Sequence, residues 1–268
     1  MFERLDWRSD RMLCNGLVIR LEHYRSDAWE LGDDCFVFYK VKELVDQYER
    51  FFSSRDFRCE HLLELGLWDG GSLVFWHEIL APKKSVGLDL NARSDGAYFR
   101  RYVSERGLSD RVKTFWGVNQ ADSARLRELV RTQLDGRLDL VFDDASHLFH
   151  PTLSSLQTLL PLLRPGGLYV IEDWAWEHWP ECFAPGTPLH RAEGLTALVQ
   201  RIVEAVGTSE KLIRSVTVHR GFAAIERGDG EVPDGFTLDR HIVRRPPPTD
   251  DGVLNKVRRR IRKLLSSG

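Results

Sequence analysis

Short apolar runs alternate with stretches of helical periodicity through the middle of the chain. His61-Leu62-Leu63-Glu64-Leu65 is one such run and stops at Gly66, after which apolar positions recur at helical spacing over 72–80. The pattern repeats as a run at 85–90, a helical stretch near 96–106, a run at 112–116 and helical spacing over 123–134. It continues with a run at 138–142, a helix at 153–163 closed by Arg164-Pro165-Gly166-Gly167, and a run at 168–171. Runs this short and continuous read as strands buried on both faces. Strands separated by helices predict parallel βαβ units and a doubly wound α/β sheet. Farther on, 195–206 reads as a helix, and 212–218 with 222–225 as an antiparallel hairpin.

Two flanks depart from this rhythm. Residues 1–57 precede the first strand, and their amphipathic stretch at 41–52 predicts a helix, so the segment is expected to be a helical cap or a homodimer interface. The main domain is expected over 58–245. Arg244-Arg245-Pro246-Pro247-Pro248 breaks regular structure ahead of a basic tail, 246–268, in which Lys256, Arg258, Arg259, Arg260, Arg262 and Lys263 alternate with apolar residues. The tail reads as a solvated terminal helix, with a helix lying on an anionic membrane surface as the alternative.

The composition of the 268 residues, 42% hydrophobic and 29% charged with a net charge of −2, fits a packed core and excludes a disordered chain. The balance also argues against bulk nucleic-acid binding, which needs a basic face. No apolar run is long enough to span a membrane, and Met1-Phe2-Glu3-Arg4-Leu5-Asp6 lacks a signal core, so a cytoplasmic location is expected. The four cysteines lack metal-ligand spacing and read as buried thiols.

Glu64-Leu65-Gly66-Leu67-Trp68-Asp69-Gly70-Gly71-Ser72 joins a strand to a helix. Glycines there let the backbone turn tightly and approach a ligand, and the helix N-terminus offers free N–H groups. Asp89 ends the next strand, where a carboxylate can grip ribose hydroxyls. This suits a nucleoside-bearing cofactor, but the spacing Gly-x-x-x-Gly-Gly is not the dinucleotide fingerprint, which disfavours an NAD-dependent oxidoreductase. Farther along, Asp143-Asp144 and Glu172-Asp173 end two successive strands, where ligands of open sheets collect. Four acids so placed repel one another unless a cation neutralises them, and all-oxygen donors suit Mg²⁺, Mn²⁺ or Ca²⁺. Helix capping explains one acid per strand end but not two adjacent acids twice. His147, three residues after Asp144, is a candidate general base, with His150 as its rival.

These segments resemble class I S-adenosylmethionine (SAM) methyltransferases of Rossmann-like fold, with a seven-stranded, mostly parallel sheet, helices on both faces and a C-terminal antiparallel hairpin. Asp143-Asp144-Ala145-Ser146-His147, followed by Leu162-Leu163-Arg164-Pro165-Gly166-Gly167-Leu168-Tyr169-Val170-Ile171-Glu172-Asp173, resembles the metal-dependent O-methyltransferases of macrolide sugars, rhamnosyl groups and methylmannose polysaccharides, and the related cephalosporin hydroxylase group. The resemblance implies Asp144, Glu172 and Asp173 as metal ligands and His147 as the base. It implies Glu64, Gly66, Gly70 and Ser72 around the methionine part of SAM, Asp89 on the ribose, Gln120 near the adenine and Asp143 close to the cofactor. Catechol-type relatives carry lysine where this chain has His147 and aspartate-asparagine where it has Glu172-Asp173, so the departure favours a sugar hydroxyl. Trp68 and Asp69 fill variable positions and suggest no role.

The implied reaction is metal-assisted O-methylation of a small-molecule or oligosaccharide acceptor. A cephalosporin-hydroxylase-like enzyme and a non-catalytic SAM-binding partner subunit are the alternatives. Trp174-Ala175-Trp176-Glu177-His178-Trp179 reads either as a lip that stacks on sugar or as a group that buries structurally. Residues 180–192, rich in proline, read as a closing loop.

Overall fold

The chain is seen in a computed structural model that describes residues 2–8, 11–21, 34–187, 189–233, 235–244 and 256–257. Apart from 256–257, the basic tail after 244 lies outside the described residues, and with it the membrane-surface expectation.

The N-terminal segment contains β1 (Leu5–Trp7), β2 (Arg11–Cys14), β3 (Leu17–Leu21), β4 (Phe36–Phe38) and α1 (Lys42–Ser53). It was expected to be helical, yet among its described residues α1 and a 3-10 turn at Phe2–Arg4 are joined by a four-stranded sheet, in which β1, β2 and β3 are an antiparallel meander and β4 pairs parallel to β3. The main sheet is built from β5 (His61–Leu65), β6 (Lys84–Asp89), β7 (Val112–Trp116), β8 (Leu138–Asp143), β9 (Leu163–Glu172), β10 (Ile213–Val218) and β11 (Phe222–Arg227). Its helices are α2 (Gly71–Leu80), α3 (Ala97–Glu105), α4 (Ser123–Gln133), α5 (Phe149–Leu159), the single turn α6 (Pro180–Phe183) and α7 (Thr196–Thr208).

The strand order is β10-β11-β9-β8-β5-β6-β7. Neighbours from β7 through β9 are parallel, and β11 inserts antiparallel between β9 and β10. The order of strand addition reverses at β5, so the turn after β5 opens beside the ends of β6 and β8, the place where doubly wound sheets bind ligands. Some boundaries differ from the sequence reading, among them the start of β9 at Leu163, which takes in Arg164–Gly167 expected to close the preceding helix. α5 begins at Phe149, four residues early, because Pro151 falls in its first turn, where a missing N–H costs nothing. The 180–192 segment opens with the turn of helix α6.

Both faces of the main sheet are covered. Leu63, Val86, Val141, Tyr169 and Ile171 pack on one side against α4, α5 and α7. Leu62, Phe142, Val170 and Ala224 pack on the other side with α2 and with α1 and strands of the N-terminal segment. Tyr48 of α1 stacks on Phe222 at 4.2 Å and meets Trp76 edge-on at 4.8 Å, while Trp76 stacks on Phe142 at 4.3 Å. The apolar face of α1 is therefore spent on the main sheet. Offset and edge-on pairs of this kind each contribute about 0.5–1.5 kcal/mol beyond burial.

Candidate active site

A cavity of about 660 Å³ opens at the carboxyl ends of β5, β6 and β8. Gly66, Ser72, Asp89, Gln120, Asp144, His147 and Asp173 line it, together with Phe38, Tyr39, Lys40 and Trp68 of the N-terminal half. The size is that of a small-molecule or cofactor site.

The glycine turn is held from three sides. Gly66 has φ +92°, and a Cβ there would lie 2.1 Å from the Asp144 carbonyl oxygen, so the close approach of β5 and β8 requires glycine. Gly70, at φ +85°, caps the start of α2. Asp89 accepts from the Leu67 and Trp68 N–H groups through one oxygen and from Asn91 through the other. It is thus the brace of the turn as well as a residue of the cavity wall. Asp69 accepts from Gly71 N at 2.9 Å and from Val37 N at 2.8 Å, fastening β4 to the turn. Burial pushes its carboxyl up to about 6, against the backbone hydrogen bonds that lower it.

Glu64 lies in the middle of β5, wholly buried. Burial pushes its carboxyl up to about 8, although Lys40 and the nearby Ser72 hydroxyl act in the other direction. Neither carboxylate oxygen finds a protein hydrogen-bond partner of good geometry. A carboxyl left so, two residues before Gly66 of the cavity wall, suits a cationic donor from a ligand.

Asp143 and Gln120 were expected beside a cofactor. Gln120 reaches the cavity wall, but its amide nitrogen donates to Asp143 and Ser155 while its oxygen accepts from Ser146 N, which steadies the loop leading to His147. Asp143 faces the interior of the fold, where it accepts from Tyr169 Oη at 2.5 Å and Ser155 Oγ at 2.8 Å.

Asp144, His147 and Asp173 converge at the rim, each offering one ligand atom within 4.8 Å of the others. His147 Nε2 stands 3.8 Å from Asp144 Oδ1, and its buried Nδ1 has no protein partner. Two carboxylates and an imidazole form a donor set that suits a divalent cation. His147 (φ +55°), Asp173 (φ +51°) and Trp68 (φ +56°) all hold the left-handed backbone that side chains avoid, and such strain gathers at functional sites. His150 is exposed and pairs with Glu193 at 3.5 Å, away from this group.

Glu172 makes a different contact. It pairs with Lys40, whose ammonium also donates to Asp144 Oδ2 at 2.5 Å. Burial works against the charged form of Lys40, but Asp144, Glu172 and Glu64 outweigh it and hold its pKa above the ordinary lysine range. Burial and the neighbouring Asp144 together raise Glu172, and burial raises Asp173 despite the proximity of His147.

Tyr39, Lys40, Trp68 and Asp69 are the site residues that sequence reasoning missed. Tyr39 meets Trp68 edge-on at 5.2 Å, and the Arg93 guanidinium lies 4.5 Å over the Trp68 ring. Two of the tryptophans at 174–179 act as braces: Trp176 Nε1 donates to the His147 carbonyl and Trp174 Nε1 to the His219 carbonyl, both at 2.8 Å.

The strand order and the glycine turn are those of the Rossmann-like fold that class I methyltransferases share. Residues 63–174 match the model of the family described as methyltransferase domain. Among curated proteins, the chain is 29% identical over 217 residues to mycinamicin VI 2''-O-methyltransferase of Micromonospora griseorubida, covering 72% of this chain and 50% of that one. It is 33% identical over 185 residues to 8-demethyl-8-alpha-L-rhamnosyl tetracenomycin-C 2'-O-methyltransferase of Streptomyces olivaceus, covering 66% and 43%. Among solved structures, the MycE methyltransferase of the mycinamycin pathway, in complex with Mg, SAH and mycinamycin VI, aligns with a TM-score of 0.54. The identity there is 27%, over 74% of this chain and 53% of that one. The chain thus spans about half the length of the curated relatives it matches.

Proposed function

We propose that this chain is a SAM-dependent O-methyltransferase that methylates a sugar or glycoside hydroxyl with the help of a divalent cation, Mg²⁺ in the first instance. The convergence of Asp144, His147 and Asp173 at the mouth of a cofactor-sized cavity carries the reading. Relatives named for macrolide-sugar and rhamnosyl O-methylation, and a neighbour that holds Mg and SAH, support it.

SAM would supply an electrophilic methyl group, and a divalent cation at the rim would acidify and orient the acceptor hydroxyl. The residues present fit both. Glu64 offers an unpartnered carboxylate to the amino group of a methionine moiety. Asp89 and Gln120 edge the part of the cavity suited to a nucleoside, where Leu67, Leu88, Leu90 and Val118 supply apolar wall. Asp144 and Asp173 would hold the cation, and His147 would take the hydroxyl proton on Nε2. The loop that carries His147 is fixed at its carbonyl by Trp176 and at Ser146 by Gln120, so the imidazole is positioned before substrate arrives.

The test is methyl transfer from SAM to a panel of rhamnosides, macrolide glycosides and catechols, followed by mass spectrometry with Mg²⁺ and with EDTA. The reading expects a 14 Da gain on a glycoside that EDTA abolishes. Transfer to catechols alone would overturn the sugar assignment, and undiminished transfer in EDTA would overturn the metal assignment.

A further inference from the structure

The acidic rim already contains a cation of the protein's own. Lys40 lies between β4 and α1, 104 residues from Asp144 and 132 from Glu172 along the chain, yet its ammonium reaches both carboxylates. Its side chain is only 3% exposed and Glu172 only 1%. The placement is built in by the backbone: β4 pairs with β3, and Asp69 ties Val37, three residues before Lys40, to the glycine turn. A buried ammonium persists only when its charge is matched, and here Asp144 and Glu172 match it while Glu64 adds to the field.

This arrangement changes what the rim offers a metal. The three residues that converge for a divalent ion share Asp144 with the lysine pair, and Glu172 faces Lys40 instead. An ion held by Asp144 would sit beside a like charge in a poorly solvated crevice, where repulsion is strong. We propose that Lys40, anchored on Glu172, is an internal counter-cation that competes with the divalent ion for Asp144, and so sets the metal affinity of the site. The proposal rests on the metal reading above. Without metal, the ammonium keeps the carboxylates from repelling one another. With metal, it must give up Asp144, so binding is weaker than the carboxylates alone would allow.

The experiment is a titration of the purified full chain with Mn²⁺, reading the free aquo ion by electron paramagnetic resonance, for wild type, Lys40→Met and Lys40→Arg. Lys40→Met is expected to bind Mn²⁺ about tenfold tighter or more, because the competing charge is gone, whereas Lys40→Arg, which keeps the charge, should show no such gain. Thermal melts accompany the titration: Lys40→Met should lose stability without metal and regain more than wild type does when Mn²⁺ is added. Where Lys40→Met does not fold, Lys40→Gln, neutral and still able to hydrogen-bond, carries the same expectation. Equal affinity in all three proteins, or weaker binding by the neutral variant, overturns the role of Lys40 and leaves the metal reading standing. Absence of Mn²⁺ binding by every protein at millimolar concentration overturns the metal reading, and this inference with it.

Discussion

Gly66→Ala places one methyl group where β5 and β8 come closest. Its Cβ would lie 2.1 Å from the Asp144 carbonyl oxygen, 2.6 Å from the carbonyl carbon and 2.9 Å from Ala145 Cα. All three are backbone atoms, so no side chain can rotate away. To regain ordinary contact, the end of β8 must move on the order of 1 Å. That displacement strains the Asp144 N–H bond to the Leu65 carbonyl, now 2.9 Å. The residue also keeps φ +92°, which for alanine costs about 1–2 kcal/mol. Overpacking adds roughly 1–3 kcal/mol, so a loss of about 3–4 kcal/mol is expected, or about 6–16 °C in Tm. Gly117→Ala is the control, since Gly117 also has a positive φ (+71°) but nothing within 4 Å of its Cβ position. It should lose only about 1 kcal/mol. Urea denaturation of both variants measures the difference. If Gly66→Ala falls within 1 kcal/mol of Gly117→Ala, the close approach does not constrain the strand end and the reasoning fails.

Three further outcomes follow from the site. Glu64, held near 8 by burial, keeps its proton in the folded chain across a range where the unfolded chain has lost it. Wild-type stability should therefore fall as pH rises from about 5 to 8, by up to about 1.4 kcal/mol per unit, and Glu64→Gln should flatten that slope in urea titrations. His147→Ala should lower turnover by about 10²–10⁴-fold while leaving SAM affinity by calorimetry within threefold, roughly, of wild type. Trp176→Phe keeps the ring but not the bond to the His147 carbonyl, so it should lower kcat by about tenfold with KM for SAM unchanged.

The main sheet was legible because β5, β6 and β8 are covered on both faces and so read as continuous apolar runs. The acids at the ends of β8 and β9 were legible for the same reason, since the ends of the runs place them. The N-terminal strands are three to five residues each, too short for alternation to show. Lys40 carried no local signal at all: a single lysine ahead of an amphipathic helix reads as a solvated residue until the fold brings β8 and β9 to it. Asp69 was passed over because its partner, Val37 N, lies 32 residues away. For the tryptophans after Asp173, composition alone left a sugar lip and structural burial equally open; the indole N–H groups of Trp174 and Trp176 bond to backbone carbonyls. Asp143 shows the converse limit, because position at a strand end does not say which way a side chain turns.

The most direct test of the account is an anomalous difference map from crystals grown with SAH and Mn²⁺. The account predicts a manganese peak in coordinating contact with Asp144 and Asp173, SAH in the cavity beside it, and the Lys40 ammonium withdrawn from Asp144. A map that shows no manganese at the rim at saturating concentration, with Lys40 still bridging Asp144 and Glu172, would contradict it.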